Sequence, residues 1–215
     1  TRGLNLMLHY RQSAAEASML ADDLNRLRPG SAATHQADLL DCGQLPALVD
    51  ATLEQFGRLD YLVNNASSFF PTPVGRIDEA SWADLIGSNL KAPLFLTQAA
   101  APYLKAVHGA VVNVTDIHAE RPLEGYPLYC AAKAGLLGLT RALAIEPPRL
   151  KTHACCRSRS RHPASDNLPH HAFPDFCQVI TLCRSGTLRT SFDFDWSFHV
   201  SSCRFIERTQ HQSWR

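Results

Sequence analysis

Between Gly3 and Glu146, short apolar runs alternate with stretches whose apolar residues recur every three or four positions, and that alternation leaves few folds open. Gly3–Tyr10 reads as a buried strand. The helix after it carries Ala17, Leu20, Ala21, Leu24 and Leu27 on one face and stops at Pro29-Gly30; Ser13 and Glu16 at its start have the spacing of a capping box. Ser31–Leu39 fits a short strand. A second amphipathic helix carries Leu45, Leu48, Val49, Thr52, Leu53 and Phe56 and closes at Gly57. Leu59–Val63 is another buried strand, running into Asn64-Asn65-Ala66-Ser67. A loop with Pro71 and Pro73 leads to a long helical region over about 79–104, then a strand at Gly109–Val114 and a last helix at Tyr126–Ile145. Strands alternating with helices predict βαβ units, hence a doubly wound, parallel α/β sheet covered on both faces. Ligands of such sheets sit beyond the carboxyl ends of the strands. Arg11, Asp38, Asn65 and Asp116, the polar residues at those ends, are therefore the first candidates for function.

Charge and length narrow the classes further. The 215 residues suit about one core, and 21 Lys+Arg against 20 Asp+Glu leave a net charge of +1. That balance argues against a nucleic-acid partner. No apolar stretch approaches the roughly 18–20 residues of a membrane span, and Leu4–Leu8 is too short for the core of a signal peptide. A soluble, cytoplasmic chain is expected, and since it begins at Thr1, a natural start upstream.

Composition changes at Glu146–Pro147. Of 7 cysteines only Cys42 and Cys130 precede residue 150, and Arg157-Ser-Arg-Ser-Arg161 is followed by Pro163, Pro169 and Pro174. No helical or strand period persists there. Cys155, Cys156, His162, His170, His171 and Cys177 lack the paired-ligand spacing of a zinc site, and acidic residues interrupt the stretch as a basic binding tail. The favoured expectation is a partial Rossmann-like domain over 1–146 and an irregular, unfolded tail over 147–215, such as an out-of-frame translation.

Tyr129-Cys-Ala-Ala-Lys133 is the sharpest chemical pair. Positions i and i+4 share a helix face, so phenol and ammonium can point into one cleft. The ammonium stabilises phenolate and eases proton transfer near neutrality. Asp116 ends a strand 13 residues upstream, Asn89 lies in the long helix, and Asn64-Asn65-Ala66-Ser67 ends the strand before it. In this order the elements resemble the short-chain dehydrogenase/reductase family. Its NNAG motif is similar to 64–67 with Ser67 for Gly, its helix Asn to Asn89, and its Tyr-x-x-x-Lys to Tyr129 and Lys133. The family's catalytic Ser falls on Asp116; Thr115 is one residue out of register.

That departure, with the stretches His9–Ala17 and Asn64–Pro73, resembles the pteridine reductases of the family. The resemblance implies that Phe69 stacks a pterin against the nicotinamide, Phe70 being a filler of core space. It implies NADPH as cofactor, held by Arg11, Gln12, Ser13, Asp38, Leu39, Asn65, Ala66, Ser67 and Lys133, with Leu39 equally suited to a plain core role. A cation and a hydroxyl at a helix start suit a 2′-phosphate better than the acidic residue an NAD enzyme places there. The implied reaction is hydride transfer to a dihydropterin or dihydrofolate. Tyr129 and Asp116 would supply the proton, Lys133 would bind the nicotinamide ribose, Asn89 would hold a relay water, and no metal is needed. An Asp can donate only if its surroundings keep it protonated. No Gly-rich phosphate loop precedes Leu4, and the pattern ends at Glu146. Neighbouring strands are therefore expected to lose ladder partners, with impaired activity and a doubtful family-like homotetramer. The other readings are a short-chain reductase of another carbonyl and a non-catalytic, partner-binding remnant.

Overall fold

In the computed structural model, which describes residues 3–146, 150–157, 179–184 and 203–205, every expected element of the first 146 residues forms. They are β1 (Leu4–Tyr10), α1 (Ala14–Leu27), β2 (Ala32–Gln36), α2 (Leu45–Phe56), β3 (Tyr61–Asn64), α3 (Glu79–Ile86), α4 (Ala92–Ala106), β4 (Ala110–Asp116) and α5 (Pro127–Ile145). β5 (Lys151–Arg157), β6 (Val179–Arg184) and β7 (Cys203–Phe205) complete one sheet in the order β2-β1-β6-β3-β4-β5-β7. The β1/β2, β3/β4 and β4/β5 ladders are parallel. This is the Rossmann-like α/β arrangement, with helices on both faces of the sheet.

The faces follow from strand alternation. Met7 joins the larger apolar cluster with Leu45, Leu48, Val49, Leu62, Leu96 and Val111, under α2 and α4. Leu8 points the other way, to Ala21 and Ala32 beneath α1. Each fully buried leucine of the larger cluster is worth about 1.5–3 kcal/mol relative to exposure. Where the β3 and β4 ends turn polar, the side chains pair with each other. Asn64 donates to Asn113 Oδ1 (2.8 Å), Asn113 donates to the Thr140 hydroxyl (2.8 Å), and Thr140 donates to the Leu136 carbonyl (2.7 Å). This buried chain of amides and hydroxyls ties β3 and β4 to α5.

Two local expectations are corrected. Ser13 sits at the N-cap of α1, but its side chain makes no cap bond and the capping box with Glu16 is not formed. Its backbone (φ −81°, ψ 58°) is not the extended one that aims a cap hydroxyl at the first-turn amides. The long helix over 79–104 is also not continuous: a π-helical turn, Gly87–Lys91, separates α3 from α4.

The region after Glu146 departs further from its expected irregularity. β5 extends the sheet in parallel beside β4, from Ala110↔Lys151 to Asp116↔Arg157. β6 lies antiparallel between β1 and β3, so neither is left with the open edge expected of it, and β7 is antiparallel to β5. The sheet is therefore mixed, not wholly parallel. Strand pairing is made by backbone groups, so an extended segment can serve without an alternating pattern. Val179-Ile-Thr-Leu-Cys183, a β-prone run, was the signal for β6. The remaining zinc-site candidates after Cys156 lie outside the described residues. Among the described residues, α5 is long and apolar enough to cross a membrane, contrary to the reading from hydropathy. In the fold its Leu128, Tyr129, Ala132, Lys133, Leu136 and Thr140 are buried at helical spacing, as in a core helix.

Candidate active site

β4 ends at Asp116, and the chain turns at once into a 3₁₀ turn, Ile117–Ala119, whose first amides Asp116 caps: its Oδ1 accepts from His118 N (3.1 Å). The other oxygen faces α5. There the Tyr129 hydroxyl donates to Asp116 Oδ2 over 2.8 Å. One turn along, the buried Lys133 ammonium donates to the Val114 carbonyl (3.1 Å) and lies 5.8 Å from the centre of the Tyr129 ring. Carboxyl, phenol and ammonium thus converge at the carboxyl end of β4. Thr115, the neighbour left out of the site, donates instead to the Cys155 carbonyl in β5 (3.2 Å).

The loop after β3 forms the opposite wall. Asn89 stands in the π turn, a feature that often marks functional positions in helices. Its carboxamide donates to the carbonyls of Ser68 and Leu85 (3.0 Å each) and accepts from the Ser67 hydroxyl (2.8 Å). Its side chain is thus a tie between helix and loop. Phe69 follows in the same loop. Its ring stacks on Tyr126 at 4.6 Å and 11° and meets Tyr129 edge-on at 4.7 Å. Tyr126 was read only as the start of a helix; its spacing of three from Tyr129 was the available signal. Phe70 packs with Leu85 and Leu128, as a core filler should.

The third wall lies at the ends of β1 and β2. Arg11 pairs with Asp38 Oδ2 at 3.2 Å, both about one-third exposed, and Asp38 Oδ1 accepts from Leu40 N. Gln12 and Ser13 lead into α1. Ala66 is buried beside β3, and Leu39 is buried in the larger apolar cluster. His9, fully buried beneath this wall, has Nε2 2.8 Å from the Ala37 carbonyl.

Burial pushes the His9 imidazole below the usual histidine value of 6.5, with nearby His35 pushing the same way and the Ala37 and Asp38 contacts opposing. The unfolded chain therefore takes up a proton at higher pH than the folded one. The stability of neutral His9 is fully present above about 6.5 and is lost as pH falls toward the lowered value, about 1.4 kcal/mol per tenfold loss of proton affinity. Urea midpoints should fall between pH 7.5 and 5.5, and less steeply in His9→Gln. Parallel slopes in the two proteins would dismiss this account.

Fold and site define the class, and comparison with known sequences agrees: the chain matches the short chain dehydrogenase family over residues 1–155 and belongs to that family of oxidoreductases. The match runs through the Tyr129–Lys133 helix and into β5, past the boundary placed at Glu146. Among individual relatives, the chain is 37% identical over 218 residues to Pteridine reductase 1 of Leishmania tarentolae, covering 84% of this chain and 75% of that protein. It is 32% identical over 145 residues to the 3-oxoacyl-(acyl-carrier-protein) reductase FabG of Staphylococcus aureus, covering 67% of this chain and 58% of that one. Galactitol 2-dehydrogenase of Agrobacterium fabrum is 30% identical over 154 residues, covering 67% and 60%. The chain thus spans less than two thirds of the latter two relatives.

Proposed function

We propose that this chain is an NADPH-dependent reductase of pterins, taking dihydrobiopterin- or dihydrofolate-type substrates. The observation that carries the reading is the Tyr129–Asp116 hydrogen bond at the edge of the Phe69 ring. A carboxyl stands where the family's other members use a hydroxyl, beside an aromatic surface suited to a flat heterocycle. The similarity to Pteridine reductase 1 supports the same substrate class.

The residues present fit a phosphorylated nucleotide at the β1 end. Arg11 offers a guanidinium about one-third exposed, paired on one side with Asp38, and Ser13 leaves the α1 amino terminus without a side-chain cap, so a cation and helix-start amides stand together for an anion. Arg11, Gln12 and Ser13 would hold the 2′-phosphate, Asp38 the adenine, Asn65, Ala66, Ser67 and Lys133 the nicotinamide end. When bound, NADPH supplies the hydride. Tyr129 gives its proton to the substrate, Asp116 restores it, and Lys133 stabilises the phenolate between the two events. Asn89 keeps Ser67 and Ser68 in place. Phe69 stacks the substrate ring.

Titration of the full chain with NADPH and NADH, followed by assay on dihydrobiopterin and on a generic ketone, tests this. NADPH should bind at least tenfold tighter than NADH, and Arg11→Ala should abolish the difference, since a charge-assisted phosphate contact is lost. Equal affinities, or turnover of the ketone alone, would overturn the cofactor and substrate assignments respectively.

A further inference from the structure

Two residues beyond Asp116, His118 turns its ring back toward the Asp116 carboxyl. Its Nδ1 lies 3.0 Å from the Arg121 carbonyl. A carbonyl only accepts, so Nδ1 carries the hydrogen and, in the neutral ring, Nε2 carries the lone pair. That nitrogen stands 4.0 Å from Asp116 Oδ1, while Asp116 Oδ2 holds the Tyr129 hydroxyl. Exposure rises along the same path. Tyr129 is 4% exposed, the Asp116 side chain 13% and the His118 side chain 22%. A buried phenol is thus linked to solvent through one carboxyl and one imidazole.

We propose that His118 is the solvent end of a proton relay serving Tyr129, a positioning and relay residue that acts through Asp116. The inference rests on the reductase reading above. Protonation at Nε2 makes both ring nitrogens donors and aims the new N–H at Asp116. After Tyr129 has given its proton away, the imidazolium gives its Nε2–H proton to the Asp116 carboxylate, by way of one solvent water across the 4.0 Å gap, and the carboxylic acid so formed gives that proton to the phenolate. The carboxylate, the phenol and a neutral imidazole are regenerated, and the imidazole takes its next proton from water. No electrons move in these steps. The charged and titratable groups around the relay are Glu120 and Arg121 on its own segment and Tyr129, Lys133 and Arg141 on α5, and the backbone of Arg157 pairs beside Asp116 in the β4–β5 register. Of these, Arg141 is turned to Glu120 at 3.9 Å. Among the described residues, this leaves Asp116 as the carboxylate that faces Nε2.

His118→Asn separates the two ring nitrogens, because its amide can still donate to Arg121 while nothing reaches the position of Nε2. In the full chain, kcat should fall about tenfold or more on whichever substrate is turned over, short of the roughly 10²–10⁴ of a direct proton donor because His118 acts through Asp116. KM should hold within twofold, and added imidazole should restore part of kcat, which a merely structural role would not allow. A second readout needs no turnover. In ¹⁵N-labelled protein at alkaline pH, His118 should show the Nδ1–H tautomer, and Asp116→Asn should move its Nε2 resonance. Unchanged kcat in His118→Asn, failure of imidazole to rescue, or an Nε2 resonance indifferent to Asp116→Asn would each overturn the relay. Activity on ketones alone, with these effects intact, would remove the pterin assignment and keep the relay.

Discussion

Tyr129→Phe is expected to lower the NADPH-dependent rate by roughly 10²–10⁴, the usual contribution of a positioned proton donor. The ring itself should stay in place. It packs with Leu85 and Leu128 and meets Phe69 edge-on, contacts a phenylalanine keeps. Only the hydroxyl is lost, and with it the 2.8 Å bond to Asp116 Oδ2. The deficit should therefore lie in kcat, with NADPH affinity preserved, because the proposed contacts to its adenosine end are at Arg11 and Asp38 and not at Tyr129. On the free-energy scale it is about 3–5 kcal/mol of transition-state stabilisation. Stopped-flow single turnovers with parallel fluorescence titrations measure both quantities. A variant within threefold of the parent rate would take Tyr129 out of the chemistry.

The largest structural effect should come from one methyl group at Gly109. This residue makes the turn from α4 into β4, and a β-carbon there would lie 2.3 Å from the Asp60 carbonyl oxygen and 3.0 Å from Leu104. The carbonyl cannot step aside cheaply, since it accepts from Ala110 N (3.0 Å) and Asp60 is held by the Arg58 guanidinium (2.6 and 2.8 Å). Gly109→Ala should thus destabilise by about 3 kcal/mol, at the upper end of overpacking costs. In a chain of this size that is roughly 6–12 °C in Tm. Gly138 on α5 is the control: nothing lies within 4 Å of a β-carbon there. Gly138→Ala should stabilise by up to about 1 kcal/mol through helix propensity alone. Thermal melts showing equal changes at the two positions would refute the packing argument.

Much of the fold before Glu146 was legible because its elements are defined by apolar spacing. Leu45, Leu48 and Val49, or Ala17 and Ala21, are read from period and found in the core. The boundaries were less so. The strand placed over 31–39 stops at Gln36: Ala37 N makes a last bond to the Tyr10 carbonyl where β1 ends, and Asp38 N turns to the Gln44 side chain. The candidate catalytic residues were found through i, i+4 spacing and family resemblance, yet geometry added Tyr126, signalled only by its spacing of three from Tyr129, and His118, which no periodicity distinguishes. The capping box failed at Ser13 because a motif specifies residue types and not backbone angles. β5 and β6 were missed since ladder pairing rewards any extended backbone, whereas the reading looked for alternation in side chains. Asn64 and Asn113 stand in apolar strands, and only their facing register explains why burying them is tolerated.

The position of β6 has a consequence for how the molecule assembles. β1 and β2 can zip together early through a short helical crossover, and β3, β4 and β5 through the longer ones that carry α3, α4 and α5. Joining these halves waits for residues 179–184, which pair on one side with residues 4–9 and on the other with 61–64. Contacts so distant along the chain are slow to form. A nascent polypeptide on the ribosome would hold two ordered pieces with sticky, unpaired margins until residues 179–184, more than four fifths of the way along its 215 residues, had emerged.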